Sequence, residues 1–287
     1  MAAAVASGAV LVTGSSTGIG RATALLLDGL GFRVFAGVRK EADGESLAGE
    51  ASGRLEPVVL DVADETSVAA ATTAIGEATG QRLVGLVNNA GITVSGPLEG
   101  LEVDAWRHQF EVNVFGQIAV TRALLPMLRA TKGRIVFMSS IGGRSAINFI
   151  GPYSASKHAI EAIGDSLRQE LRPSGVQVSI VEPGSIATPI WEKGAAGAGA
   201  AREQFSDDVE VVYGDAMDAF TKVAMDTGAR GLPAEKVAEA VAHALTAKRP
   251  RTRYLIGAEA RIQAAMRVAL PDRAGDAVVA TMMRRAK

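Results

Sequence analysis

Val10-Leu11-Val12-Thr13-Gly14-Ser15-Ser16-Thr17-Gly18-Ile19-Gly20-Arg21-Ala22 is the stretch on which the reading of the fold turns. A short apolar run enters a turn holding three glycines, and apolar residues then return at helical spacing from Arg21 to Leu30, with Gly31 as a natural stop. Strand, tight turn and helix in that order predict a buried parallel strand that feeds the N-terminus of a helix. Glycines let the backbone approach a pyrophosphate closely. The helix N-terminus adds free N–H donors and the positive end of its dipole. Gly14, Ser16, Thr17, Gly18, Ile19 and Gly20 are therefore the candidate cradle for a dinucleotide.

Outward from this stretch the same alternation continues. Strands are expected at Val34–Val38, Val58–Leu60, Leu83–Val87, Arg134–Met138, Val176–Val181 and Tyr254–Ile256. Helices are expected at Glu65–Gly76, at Asp104–Arg129 with an interruption or bend before Pro126, at Tyr153–Leu171, and at Pro233–Thr246. The pattern predicts a single α/β domain, 1–287, with a Rossmann-type doubly wound parallel sheet. Asp61, Asn88-Asn89-Ala90-Gly91, Ser139-Ser140 and Pro183-Gly184 each close a strand at its carboxyl end. Ligands bind at those ends in such sheets, so these clusters predict one shared site. Two segments break the rhythm. Pro189–Leu232, with the Ala/Gly-rich Gly194–Ala201 inside it, is expected to be a long irregular lid or substrate loop. The tail, about 258–287, interleaves apolar residues with Arg261, Arg267, Arg273, Arg284 and Arg285. It suits covering a substrate mouth, packing on a second subunit or lying on a membrane surface, and packing on protein is the plainer reading.

Composition narrows the function classes. The chain has 287 residues, 48% hydrophobic, and a formal net charge of -1, so no basic field invites nucleic acid. Without cysteine there are no disulfides, thiolate metal sites or cysteine nucleophiles. His108, His158 and His243 lack ligand spacing, and no metal is expected. No apolar run has the length of a membrane span, and Met1–Ser7 lacks the charge pattern of a signal peptide. The expectation is a cytoplasmic protein.

Tyr153 and Lys157, at i and i+4, share a helix face. A phenol of ordinary pKa near 10 needs help to trade protons at neutral pH, and a neighbouring ammonium favours the phenolate. The pair is thus a candidate acid/base. Ser140 can hydrogen-bond a substrate oxygen and stabilise charge developing on it, and Ser139 is the alternative at that strand end.

The turn spacing, Thr13-Gly14-x-x-x-Gly18-Ile19-Gly20, resembles that of the short-chain dehydrogenases/reductases. Asn88-Asn89-Ala90-Gly91, Asn113, Ser140 with Tyr153 and Lys157, and Pro183-Gly184 followed by Thr188 match that family in order, over residues 8 to about 257. The resemblance implies an oxidoreductase moving a hydride between a nicotinamide cofactor and an alcohol or carbonyl. It selects Ser140 over Ser139 and implies that Lys157 also bonds the nicotinamide ribose. It implies that Asn113 holds a water linking the lysine to solvent. Asp61 and Val62, with Asn89, Ala90 and Gly91, are implied on the adenosine side, and Pro183, Gly184, Ile186 and Thr188 on the nicotinamide side. Family members pair through the helices around Asn113 and after Tyr153, implying a homodimer or homotetramer. The Val181-Glu182-Pro183-Gly184 run and the tail from Tyr254 resemble the 17β-hydroxysteroid and retinol dehydrogenase branch. A small lipophilic alcohol or ketone is the implied partner, with Ile141, Ile147, Phe149, Ile150, Ile190, Trp191 and Phe205 as candidate walls and Ser95–Leu98 beside them.

An NAD site usually carries an acid at the end of the second strand. Here Val38 holds that place and Arg39 follows, so NADP(H) is favoured, through an arginine fork on the 2′-phosphate, with NAD(H) open. Two rivals stand beside this reading: an epimerase or dehydratase of the extended relatives, and a nucleotide-binding regulatory or scaffold protein without the reaction.

Overall fold

The computed structural model describes residues 8–284. β1 (Ala9–Val12), α1 (Gly18–Gly29), β2 (Arg33–Val38), α2 (Glu41–Ala48), β3 (Leu55–Val59) and α3 (Glu65–Thr79) come first. β4 (Gly85–Asn88), α4 (Val103–Phe110), α5 (Gly116–Thr131), β5 (Arg134–Met138), α6 (Gly151–Glu170) and β6 (Gln177–Pro183) follow. The chain then runs through α7 (Ile190–Arg202), α8 (Asp207–Ala229), α9 (Glu235–Thr246), β7 (Arg253–Ile256), α10 (Ala258–Ala269) and α11 (Asp272–Arg284).

The seven strands form one parallel sheet in the order β3-β2-β1-β4-β5-β6-β7. Alternate residues of each strand face opposite layers. Val10, Val12, Val34, Ala36, Val136 and Val181 meet α1 and α9. Leu11, Phe35, Leu86, Ile135 and Phe137 meet α3, α5 and α6. Both faces are thus covered, which is why the strands read as near-continuous apolar runs. The strand order reverses at β1 and β4, and their carboxyl ends define the crevice where a ligand binds in this architecture. Among the described residues no helix is long and apolar enough to cross a membrane.

Several expectations need correction. The segment Pro189–Leu232 is not irregular: it is mostly α7 and α8, and the Ala/Gly-rich Gly194–Ala201 lies inside α7. Alanine's helix propensity outweighs the cost of Gly194, Gly197 and Gly199. The interruption expected before Pro126 lies earlier, as a π-helical turn over Glu111–Phe115, and α5 continues through Pro126. α2 had no counterpart in the sequence reading; it buries only Gly44 and Leu47, too few for a helical stripe. The tail forms α10 and α11. Met1–Ser7 and Arg285 lie outside the described residues.

Candidate active site

The glycine turn joins β1 to α1 and is held from across the sheet. Thr13 Oγ1 accepts from the backbone N–H groups of Asn89 and Ala90, both at 2.9 Å. Asn89 Nδ2 donates to Thr13 O (2.9 Å) and Gly14 O (3.2 Å). Gly14 sits at φ 65°, and a Cβ there would stand 2.8 Å from Ala90 Cα. A Cβ on Gly20 would overlap the Gly14 carbonyl and stand 2.5 Å from Asn89 Nδ2. The α1 N-cap, Thr17, makes no side-chain cap hydrogen bond, and the first turn carries no acid. Unsatisfied N–H donors, a positive dipole end and a backbone cradle that a side chain would fill fit a dinucleotide pyrophosphate. The sequence motifs include Thr13 and Asn88 but give neither a role of its own: the Thr13 hydroxyl ties the two loops together, and Asn88 Nδ2 donates to Thr121 Oγ1 at 2.7 Å. Both contacts bridge distant chain segments and leave no local signal.

A cavity of about 1250 Å³ opens at this crevice. Every candidate cofactor residue lines it: Gly14, Ser16, Thr17, Gly18, Ile19, Gly20, Arg39, Asp61, Val62, Asn89, Ala90, Gly91, Pro183, Gly184, Ile186 and Thr188. Val38 is buried at the end of β2. Arg39 is exposed at the rim, in none of the side-chain hydrogen bonds or ion pairs among the described residues.

Ser140, Tyr153 and Lys157 line the same cavity. Ser140 Oγ accepts from Gly142 N at 3.0 Å, at the head of the short helical turn Ile141–Gly143. Ser140 Oγ and the Tyr153 ring flank Gly142, at 3.4 and 3.3 Å from where its Cβ would stand, whereas Ser139 Oγ is buried with no hydrogen-bond partner. The Lys157 ammonium donates to Met138 O at 2.7 Å and lies 5.6 Å from the centre of the Tyr153 ring. Asn113, buried in the π-helical turn, accepts from Ile92 N (2.8 Å) and donates to Ile92 O (3.0 Å) and Ser156 Oγ (3.2 Å). Single π-helical turns of this kind are frequent at functional sites.

The ionisation of the pair departs from expectation. Burial pushes the Tyr153 phenol up, and the nearby Ser140 hydroxyl only partly opposes it. Burial also drives Lys157 down to about 8, with the Glu161 carboxylate pulling the other way. The anticipated lowering of the phenol by the ammonium is not what the protein matrix produces by itself, because loss of water around both groups dominates.

Ile141, Ile147, Ile150, Ile190 and Trp191 wall the cavity as expected, with Ser95 beside them. Phe149 and Phe205 do not. Phe149 stands edge-on to Phe220, and it is Phe220 that reaches the cavity; Phe205 packs over Gly100. Gly96, Pro97 and Leu98 also stay outside the lining, and Leu98 is largely exposed. Sequence reading missed Phe220 and the tail residues Ile262, Met266, Leu270 and Val278. The tail was read as a possible cover for the mouth, and α10 and α11 do form one wall. Glu259 on α10 accepts from Ser185 N at 2.7 Å, tying that wall to the Pro183-Gly184 loop.

Comparison with known proteins agrees with this geometry. The model of the short chain dehydrogenase family matches residues 8–198. The NADPH-dependent 3-dehydrocapnine reductase of Ornithobacterium rhinotracheale is 35% identical, over 93% of this chain and 94% of its own. Mouse retinol dehydrogenase 5 is 39% identical, over 96% and 89%. The 17-beta-hydroxysteroid dehydrogenase type 6 of Bos taurus is 40% identical, over 88% and 81%. Among solved structures, a short-chain dehydrogenase from Streptomyces avermitilis superposes with a TM-score of 0.75 at 29% identity, over 97% and 96%. The chain therefore belongs to the short-chain dehydrogenase family of NAD(P)-dependent oxidoreductases, in the branch that holds the retinol and 17β-hydroxysteroid dehydrogenases.

Proposed function

We propose that this enzyme interconverts a lipophilic primary or secondary alcohol and its carbonyl, using NADP(H), with Tyr153 as the acid/base. The observation that carries the reading is a single cavity that brings Ser140, Tyr153 and Lys157 together with the glycine cradle and apolar walls. A bound nicotinamide supplies or accepts the hydride. In the reducing direction Tyr153 Oη gives its proton to the substrate oxygen, and Ser140 Oγ donates a second hydrogen bond to that oxygen. Lys157, charged below about pH 8, stabilises the phenolate that Tyr153 leaves behind. Asn113 clamps Ile92 and fixes the wall of the site, and the water link to Lys157 belongs to this proposal.

NADP(H) is supported by the absence of an acid at Val38, by the unpaired Arg39 at the rim, and by the relative named as NADPH-dependent. The lipophilic substrate is supported by the isoleucine, tryptophan and phenylalanine walls and by the retinol and hydroxysteroid relatives. Phe115 and Ile118, 53% and 38% exposed near Asn113, support a homodimer or homotetramer through α5 and α6. Cytoplasmic placement is part of the proposal, and recovery of the native protein in a membrane pellet would count against it.

The test is a panel of retinoid, steroid and long-chain ketones and alcohols, followed by nicotinamide absorbance with both cofactors. Turnover of none of them rejects the substrate class. Tyr153→Phe should keep cofactor affinity and lose about 100- to 10,000-fold in turnover, since only the transferable proton is removed. Near-wild-type activity in that variant would sink the mechanism.

A further inference from the structure

Glu182 lies in the Val181-Glu182-Pro183-Gly184 run, directly before the cofactor loop, and the proposed chemistry gives it no task. It is the last acid on β6 and its side chain is 0% exposed. Two arginines reach it. Arg144 Nη2 donates to Oε1 at 2.8 Å, and its Nε lies 2.7 Å from Oε2 as an ion-pair contact outside hydrogen-bond geometry. Arg253, on the neighbouring strand β7, sits 3.1 Å from Oε1. The same Arg253 guanidinium bonds Glu161 (3.1 Å) and Asp165 (2.6 Å) on α6.

We propose that Arg144 and Glu182, backed by Arg253, are positioning residues that hold the Ser140 segment in register with Tyr153 and Lys157 on α6. The proposal rests on the catalytic reading above. Ser140 opens the helical turn Ile141–Gly143, and Arg144 is the first residue beyond it. Fixing Arg144 to the sheet therefore fixes the far end of the one turn that carries Ser140. Arg253 ties the same carboxylate to α6 one turn beyond Lys157, so serine and tyrosine share an anchor. Arg144, Glu161, Glu182 and Arg253 do not line the cavity, so they act through others rather than on substrate.

Energetics favour position over stability as the role. Burial pushes the Glu182 carboxyl up despite Arg144, and the Glu161 carboxylate pushes the same way. A buried ion pair of this kind is commonly no more stabilising than apolar residues of the same shape. What it supplies is position: one charge-assisted hydrogen bond and two close ion-pair contacts hold the Glu182 carboxylate between the segment after β5 and β7. The network joins Glu161 and Asp165 on α6, Glu182 on β6, Arg253 on β7 and Arg144 after β5, and of these Glu161 is the charge that acts on Lys157.

The experiment compares Glu182→Gln, Arg144→Met and the double variant as NADPH complexes, with the fastest carbonyl of the panel. Each single substitution should lower kcat per cofactor-binding site about tenfold or more, and leave the NADPH dissociation constant within about threefold. The double variant should be no worse than the poorer single, because the two residues act as one unit. The isotope effect with 4-deuterated NADPH should rise as the chemical step slows. Hydrogen exchange in residues 139–145 of the NADPH complex should quicken, a readout that needs no substrate. Wild-type kcat per site with unchanged exchange in 139–145, even with a lowered melting temperature, overturns the proposal and leaves a structural ion pair. Arg144 is partly exposed, so Arg144→Met carries the test if Glu182→Gln does not fold. An active Tyr153→Phe would reject the catalytic reading instead, which separates the two failures.

Discussion

Replacing Lys157 with methionine should make this protein more stable while destroying its activity. Lys157 is buried, and burial lowers its ammonium from the ordinary 10.5 to about 8. At about 1.4 kcal/mol for each pKa unit, that fall corresponds to about 3 kcal/mol by which the folded protein disfavours the charged lysine. The folded-state value is depressed, so the folded protein gives up its proton first as pH rises. Stability is therefore greatest above 10.5 and is lost as pH falls from 10.5 to about 8. Below about 8 the full cost is present. Methionine fills a similar volume and carries no charge. It forfeits the Lys157 Nζ hydrogen bond to Met138 O, worth roughly 1 kcal/mol. The net expectation at pH 7 is a gain of about 1–3 kcal/mol. Urea unfolding of both proteins from pH 6.5 to 10.5 measures it, and the gap should narrow steadily above pH 8. Turnover should fall at least about 100-fold at every pH. A variant less stable than wild type at pH 7, or a gap that stays constant through that window, refutes the argument that burial strains Lys157.

Gly20→Ala should weaken NADPH binding about tenfold or more, because the new methyl group overlaps the Gly14 carbonyl and pushes the turn off α1; unchanged affinity by fluorescence quenching would remove the glycine cradle from the site. Arg39→Ala should raise the NADPH Michaelis constant about 10- to 100-fold and leave that for NADH little changed, while Val38→Asp should move preference toward NADH; equal weakening of both cofactors by Arg39→Ala would make Arg39 a loop charge. Sedimentation at micromolar concentration should give a dimer or tetramer, and Phe115→Glu should dissociate it; a monomeric wild type contradicts the pairing through α5 and α6.

Much of this molecule was legible because its information is local. A strand, a glycine turn and the helix after it occupy one run of chain, and their backbone demands are met by the residues themselves. The alternation of seven such strands with helices left little topological choice. Tyr153 and Lys157 share a helix face through their spacing alone, and the residues of the cofactor crevice announced themselves by ending strands. Where the reading slipped, local signals were weak or conflicting. α2 has too short an apolar stripe, and the glycines of α7 suggested a loop to a reader who could not see the helix it packs against.

What only the tertiary structure decided depends on partners far away in sequence. Phe220, Ile262, Met266 and Leu270 became walls because α8 and α10 fold back over the crevice. Phe149 lost that place to Phe220, and the interruption before α5 is the π-helical turn that Asn113 holds on Ile92 rather than a break at Pro126. Glu182 meets Arg144 and, through Arg253, two carboxylates of α6, a network no spacing foretells. The ionisation of Tyr153 and Lys157 was likewise undecidable from residue types. Proximity argues for a lowered tyrosine, and burial, which only packing sets, pushes Tyr153 up and Lys157 down. Sequence fixes which groups are present and which share a local face, whereas solvent exclusion and long-range pairing belong to the folded whole, and those two set the energies of charge.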